Sequence, residues 1–260
     1  MILFVFEGAE REPRIFKTLE RLFSGEGERI VRSFGNSIYE LYRQLKELDG
    51  DGDIVSILRE NKANEKDSPF PKDVRSSDFS EIYLFFDYDF QNTNQTLEEM
   101  NRQLEEMLTL FDDETDNGKL YVSYPMVEAL CYTKELPDEH FFEYRVKRRD
   151  CITHHFKDLA ADFSCYGSMD FIELPDPGHH KSGKAEMGRV KSNWVHLVNQ
   201  HASKARYICD GKNCLPERKE DISQQRIFTA QLDKYLAVED AVAILGAFPL
   251  FLFDYFKEIR

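Results

Sequence analysis

Apolar positions along this chain alternate between strand-length runs and helix-spaced stripes. Ile2–Phe6 is a continuous apolar run, as expected for a central strand covered on both faces. Ile15, Phe16, Leu19, Leu22 and Phe23 then recur at helical spacing, with Pro13 suited to the first turn and Gly25 to the exit. Residues 29–34 read as a second strand, and Ile38, Leu41, Tyr42, Leu45 and Leu48 as a second amphipathic helix. The polar stretch 61–80, with Pro69 and Pro71, predicts an exposed loop. EIYLFFD, Glu81–Asp87, is the strongest strand signal in the chain. It is followed by a helix through Leu97, Met100, Leu104, Met107 and Phe111, an acidic turn at 112–118, and a strand at 119–124.

This alternation predicts an α/β fold with a mostly parallel central sheet flanked by helices. Beyond residue 133 the pattern weakens. It suggests a mixed-charge helix near 138–149, a loop over 164–183, and a helix around Val190, Trp194, Leu197 and Val198, with Trp194 in the core. From 222 the regular pattern returns as a helix through Ile227 and Leu236, a strand at 242–245 and a terminal apolar helix. The chain therefore divides into a core (1–133), a large mixed insertion or subdomain (134–219), and a helix-strand-helix segment returning to the core (220–260).

Charge sharpens that division. The 260 residues are 42% hydrophobic, which excludes disorder as the main state, and 48 acidic against 34 basic residues give a net charge of −14. Residues 134–219 hold 15 Lys or Arg against 13 Asp or Glu, a balance of +2, leaving −16 for the rest. A constitutive, high-affinity nucleic-acid binder with a broadly positive surface is excluded. Contact with a polyanion is expected to run through 134–219, which also holds all seven histidines and four of the five cysteines.

Five irregularly spaced cysteines and no export signal favour reduced thiols and a cytoplasmic location. The longest uncharged run, 241–253, is thirteen residues, short of the roughly 20 needed to cross a bilayer. No membrane association is expected.

The candidate chemistry lies at strand ends, where an α/β sheet presents ligands. Glu7 ends the first strand, Asp87 and Asp89 end the strand EIYLFF, and Glu128 follows the strand KLYVSY. Side chains two apart in an extended segment point the same way, so Asp87 and Asp89 are expected to face one pocket. Converging carboxylates suit one or two hard divalent ions such as Mg2+ or Mn2+, which can serve a phosphoryl displacement. Each acid also has a plainer reading: Glu12 as favourable charge at a helix start, and Glu128 as a solvated loop acid or early helix residue.

Glu-Gly after the first strand, followed by Asp-x-Asp at a later strand end, resembles the Toprim fold of topoisomerases, primases and OLD-type nucleases. FEGAEREPRIF (6–16) is similar to the EG-x3-EP segment of the RloB-like branch, and SYPMVE (123–128) to its S-N-P-x-F-E segment. Tyr124 stands where that branch has Asn, and Arg11 where it has Thr; residues 134–219 lie outside the resemblance. The resemblance implies Glu7 as a metal-associated general acid/base, Asp87 and Asp89 as metal ligands, and Glu12 and Glu128 as candidates for a second metal. It gives Gly8 a close backbone turn beside the site. OLD-type sites also use a later lysine, for which Lys181 and Lys184 are the candidates.

PGHHKSGKAEMGRVK (177–191) has its own reading. His179, His180, Lys181, Lys184, Arg189 and Lys191 among flexible glycines can form a phosphate-binding loop entering a helix N-terminus, or simply a surface loop. The run Arg145, Lys147, Arg148 and Arg149 reads as a solvated helix end, and Cys209 with Cys214 near His201 faintly suggests zinc.

The leading expectation is a metal-dependent nuclease cutting RNA, such as tRNA, or DNA. Relatives in the resembling group include prokaryotic anti-phage defence effectors, commonly paired with an ATPase subunit. This chain has no G-x4-GK[ST] loop, so an ATPase would be a partner. A homo-oligomer is also open. The alternatives are a catalytically silent Toprim-like sensor or partner of an ATPase, and a phosphatase or phosphotransferase using the same acids.

Overall fold

The computed structural model describes residues 1–23, 28–48, 53–60, 73–176, 178 and 182–256. In chain order these form β1 (Ile2–Phe6), α1 (Arg11–Phe23), β2 (Arg29–Ser33), α2 (Ile38–Glu47), α3 (Ile54–Glu60), β3 (Glu81–Asp87), α4 (Leu97–Leu110), β4 (Asp112–Asp113) and β5 (Gly118–Ser123). The later elements are β6 (Arg145–Lys147), α5 (Arg148–His154), α6 (Phe156–Phe163), α7 (Lys184–Asp210), α8 (Gln224–Gln231), α9 (Ala237–Glu239), β7 (Ala241–Ala243) and α10 (Ala247–Tyr255).

The main sheet runs β2-β1-β3-β5-β4. Its first four strands are parallel, and β4 closes the edge as a short antiparallel partner of β5. The expected α/β architecture with a mostly parallel, helix-flanked sheet is therefore present. In β1 the register pairs Phe6 with Ser33 on one side and Phe85 on the other, so β1 and β2 end together and β3 runs two residues further. Glu7 and Asp87 stand at this end of the sheet.

An aromatic layer fixes one face of the sheet. Phe251 of α10 meets Phe4, Tyr83, Phe85 and Tyr121 on three strands, at ring-centroid distances of 5.8, 5.0, 5.3 and 5.7 Å. Phe16 of α1 joins at 4.2 Å from Phe4. The alternate positions Leu3, Val5, Ile82, Leu84, Phe86, Leu120 and Val122 are equally buried, so the opposite face is covered too. Each large buried side chain stabilises by about 1.5–3 kcal/mol. Gly118 has φ +121°, and a Cβ there would lie 2.8 Å from Leu84 Cδ1, so only glycine fits this start of β5.

Several expectations change beyond residue 133. The helix anticipated over 138–149 is instead a short 3-10 turn, Phe141–Glu143, followed by β6 and the start of α5. The reason is a distant partner: β6 pairs antiparallel with β7, setting Val146 inward between exposed Arg145 and Lys147. The 164–183 segment carries no helix or strand among its described residues, yet it is packed rather than solvated. Ile172 is buried, its carbonyl accepts from Trp194 Nε1 (2.8 Å), and Leu174 N donates to Thr18 Oγ1 (3.0 Å). The acidic turn after α4 contains β4, and the apolar run 241–253 is a buried strand turning into a buried helix, as expected.

The 134–219 segment is tied to its flanks by β6–β7 and by Gly246 N donating to His201 Nδ1 at 3.0 Å. Tyr124 and Leu245 form an antiparallel bridge beyond β5, with N–H···O distances of 2.7 and 3.0 Å. One contiguous apolar core runs through all three segments. No described helix is long and apolar enough to cross a membrane.

Candidate active site

The strand ends bring five carboxylates into electrostatic contact. Glu7 follows β1, its N–H donating to Phe85 O (3.0 Å), and its side-chain Oε2 accepts from Asp87 N at 3.0 Å. Burial, then the Asp89 charge, hold Glu7 well above the usual carboxylate range, against that hydrogen bond. Asp87 is raised likewise, by burial and then by Glu7, Asp89, Glu12 and Glu128. Asp89 is pushed up to about 6 by burial, with Glu128 adding and a bond from Gln91 Nε2 (2.9 Å) opposing.

Asp89 reaches this cluster by a different route from the one the pleat suggests. β3 stops at Asp87, and Asp89 has φ +49°, a left-handed conformation that Asp tolerates better than most residues. Its backbone is pinned on both sides: Asp89 N donates to Pro125 O (3.1 Å), and Asn92 N donates to Asp89 O (2.8 Å).

Glu12 stands in the first turn of α1, as its helix-start reading expects, but buried: it is 7% exposed, and its Oε1 accepts at 3.0 Å from the N–H of Gly8 in the loop between β1 and α1. Burial chiefly raises it, with Glu128 contributing. A Cβ at Gly8 would lie 2.5 Å from Glu12 Oε2, so glycine is needed here for the close approach of a carboxylate. Glu128 is also buried, in the first turn of a 3-10 helix Val127–Cys131; Oε1 pairs with Arg11 Nη1 at 2.6 Å, and Oε2 is buried without a hydrogen-bond partner. Arg11 is, among the described residues, the only cation paired with any of the five acids.

Sequence reasoning missed the supporting residues. Arg148, read as part of a solvated basic run, is half-buried; its Nε donates to Phe90 O (2.6 Å) and its Nη2 to Asn92 O (3.2 Å), clamping the loop after Asp89. Tyr39 donates to Tyr88 O at 2.6 Å, between the two aspartates. Neither contact has a local sequence signal, since both cross between elements 49 or more residues apart.

The basic candidates lie apart from the acids. His179, His180 and Lys181 fall outside the described residues. Lys184, Arg189 and Lys191 are exposed on the first turns of α7, and Lys184 makes no ion pair among the described residues. Arg189 lines a groove of about 1290 Å3 between α1 and the 170–176 segment, together with Arg14, Lys17, Arg21 and Arg29 but also with six acids, of which Glu173 pairs with Arg14 at 2.7 Å. Lys191 Nζ sits 5.3 Å from the Phe23 ring centroid. For zinc, His201 is buried with Nδ1 occupied by Gly246 N, and Cys209 and Cys214 have no third ligand among the described residues.

Among the described residues no three His, Cys, Asp or Glu side chains stand in metal-ligating geometry as they are. The donor set still fits a hard divalent cation in kind. It consists of carboxylate oxygens that burial and mutual repulsion make costly to ionise, and one of them, Glu128 Oε2, has no partner. Compared with family models, curated proteins and solved structures, the chain matches none.

Proposed function

We propose that this chain is a Toprim-like hydrolase that cleaves nucleic-acid phosphodiesters with Mg2+ or Mn2+. The observation that carries the reading is the meeting of half-buried Glu7 and buried Asp87, both raised, at the carboxyl end of a parallel sheet with Asp89, Glu12 and Glu128 in electrostatic reach. Nothing in a stable core calls for so many like charges against one arginine.

Glu7, Asp87 and Asp89 would hold the first ion, and Glu12 with Glu128 a second. A bound divalent ion supplies charge for the phosphoryl oxygens and an acidified water. The protein's own part is placement. Asp87 N–H orients the Glu7 carboxylate, Gly8 N–H orients Glu12, and Arg11 holds Glu128. Gln91 and Arg148 fix Asp89 and the loop after it. Glu7, the raised acid nearest Asp87, is the group that would carry a proton. Lys17 and Arg189, in the groove beside α1, and the exposed Lys184 and Lys191 of α7 would supply phosphate contacts.

The resemblance to RloB-like and OLD-type nucleases adds a setting: a prokaryotic anti-phage effector in the cytoplasm, acting on RNA or DNA, controlled by an ATPase partner or by self-assembly. The test is cleavage of tRNA, single-stranded DNA and duplex DNA with Mg2+ or Mn2+, beside Glu7→Gln and Asp87→Asn. Cleavage by wild type that both variants abolish is expected; equal cleavage by all three removes the reading.

A second reading is favoured by the absence of three donors in ligating geometry among the described residues and by Arg11 already occupying Glu128. In it the chain is a catalytically silent Toprim-like sensor that binds an ATPase. Calorimetry with Mn2+ separates the two: no heat of binding selects the silent module.

A further inference from the structure

Beside the acidic cluster lies a second cleft of different chemistry. A groove of about 480 Å3 opens between α2 and the loop that leads from Asp89 into α4. Its walls include Asn36, Tyr39, Asn92, Asn94, Gln95 and Gln103, so five of these six side chains are carboxamides. Three contacts connect it to the acids. Asn36 follows Gly35, whose N–H donates to Glu7 O (2.9 Å); Tyr39 donates to Tyr88 O (2.6 Å); and Asn92 N donates to Asp89 O (2.8 Å).

The charged residues at its outer rim are already paired. Arg43 is bonded to Glu40 and Glu47, and Lys46 to Glu106 at 2.8 Å. The rim therefore offers no free cation to a phosphate. Amides, by contrast, are uncharged and present a donor beside an acceptor. Those of Asn94 and Gln95 are exposed and hydrogen-bond to nothing among the described residues.

Gln103 gives the groove a defined demand. It is 8% exposed, and its Nε2 donates to Glu99 Oε1 at 2.8 Å, an acceptor-only group that fixes which end of the amide is which. Its Oε1 then faces away from Glu99, buried and without a partner. A buried carbonyl left in this state is costly unless a ligand brings an N–H to it.

We infer that this groove receives a nucleobase adjoining the scissile phosphate of a single-stranded substrate, with Gln103 Oε1 accepting from the base. The proposal rests on the nucleolytic reading for its biological sense, but it is a claim about binding. Carboxamides hydrogen-bond the edges of unstacked bases, and every base brings a donor to a lone carbonyl acceptor: an exocyclic amino group on adenine, cytosine and guanine, a ring N3–H on uracil and thymine. The groove therefore selects for a base as such next to the cut, not for one base over another.

The test keeps binding and cleavage apart. AMP, CMP, GMP, UMP and ribose 5-phosphate are titrated in EDTA into 15N-labelled full-length protein, following the side-chain amide resonances of Asn and Gln. The four nucleotides should bind about tenfold more tightly than ribose 5-phosphate, the gain expected of one good base-edge contact. Gln103→Leu should erase that ratio, and Asn94→Ala/Gln95→Ala, at exposed positions with no folding role, should weaken all four nucleotides. Equal affinity for the nucleotides and ribose 5-phosphate, or a gain that survives Gln103→Leu, overturns the inference. Cleavage of single-stranded RNA and DNA oligomers with and without an abasic nucleotide beside the cut supplies the second arm. If no oligomer is cut while the titration shows the gain, the nuclease reading fails and the base site stands; equal cutting beside abasic nucleotides has the opposite meaning.

Discussion

The Asp87 backbone N–H donates to Glu7 Oε2 at 3.0 Å, so the strand that supplies one buried acid also orients the other. Among the described residues no cation pairs with either carboxylate, and both are raised well above the usual range: Glu7 by burial and then Asp89, Asp87 by burial and then Glu7. Such a pair costs the fold stability.

Asp87→Asn should therefore stabilise the metal-free protein while abolishing divalent binding. Removing one buried like charge is expected to contribute about 1–2 kcal/mol, a rise in Tm of roughly 2–8 °C for a chain of this size. Thermal melts in EDTA and Mn2+ calorimetry on the same preparations check both halves. A lower Tm with intact Mn2+ binding would show that Asp87 has a structural role instead.

Asp89 makes the pH dependence specific. Its folded value of about 6 lies above the ordinary aspartate value of 3.8, so the folded state holds this proton more tightly than the unfolded chain does. The stability it contributes is fully present below about pH 4 and is lost as pH rises through about 6. Denaturant unfolding in EDTA should give a downward contribution between about pH 4 and 6 that Asp89→Asn removes. Unchanged pH dependence in that variant would contradict the assignment.

Gly8→Ala tests placement without touching an acid. The new Cβ would require Glu12 Oε2, now 2.5 Å from that position, to move, and the Gly8 N–Glu12 bond would go with it. Because only a side-chain end must shift, the melting curve should hardly change. Divalent affinity is expected to fall about 10- to 100-fold, the range for loss of an orienting hydrogen bond behind a ligand.

Arg148→Ala should loosen the loop after Asp89. Two charge-assisted bonds to Phe90 O and Asn92 O are lost, at a cost of about 2–4 kcal/mol together. The sensitive readout is amide hydrogen exchange at Asn92, whose N–H donates to Asp89 O; faster exchange is expected there, with the β1 and β3 amides unaffected.

The strands carrying the acids were legible because Ile2–Phe6 and Glu81–Asp87 are short apolar runs bounded by charge, and central parallel strands need little else. β6 was not. Arg145-Val146-Lys147 alternates as a strand should, but three residues carry little signal, and the partner at Ala241–Ala243 is nearly a hundred residues away. The same limit hid the Arg11–Glu128 pair, separated by 117 positions. Asp89 was placed with the acids on a pleat argument, whereas its positive φ follows from backbone bonds to Pro125 and Asn92 that belong to the tertiary structure. Glu12 was chosen for its motif, and its burial beneath Gly8 became visible only in three dimensions.

Phe251 of α10 touches rings on β1, β3 and β5, including Phe4 and Phe85 in the two strands that end at Glu7 and Asp87. A ribosome delivers that wedge long after both acids have left the exit tunnel. Until it arrives the three strands lack the layer that locks their alignment, so a partly translated chain would carry the acidic residues without the working arrangement. Synthesis order then sets assembly order: the carboxylate cluster cannot lock into this alignment before translation has passed residue 251.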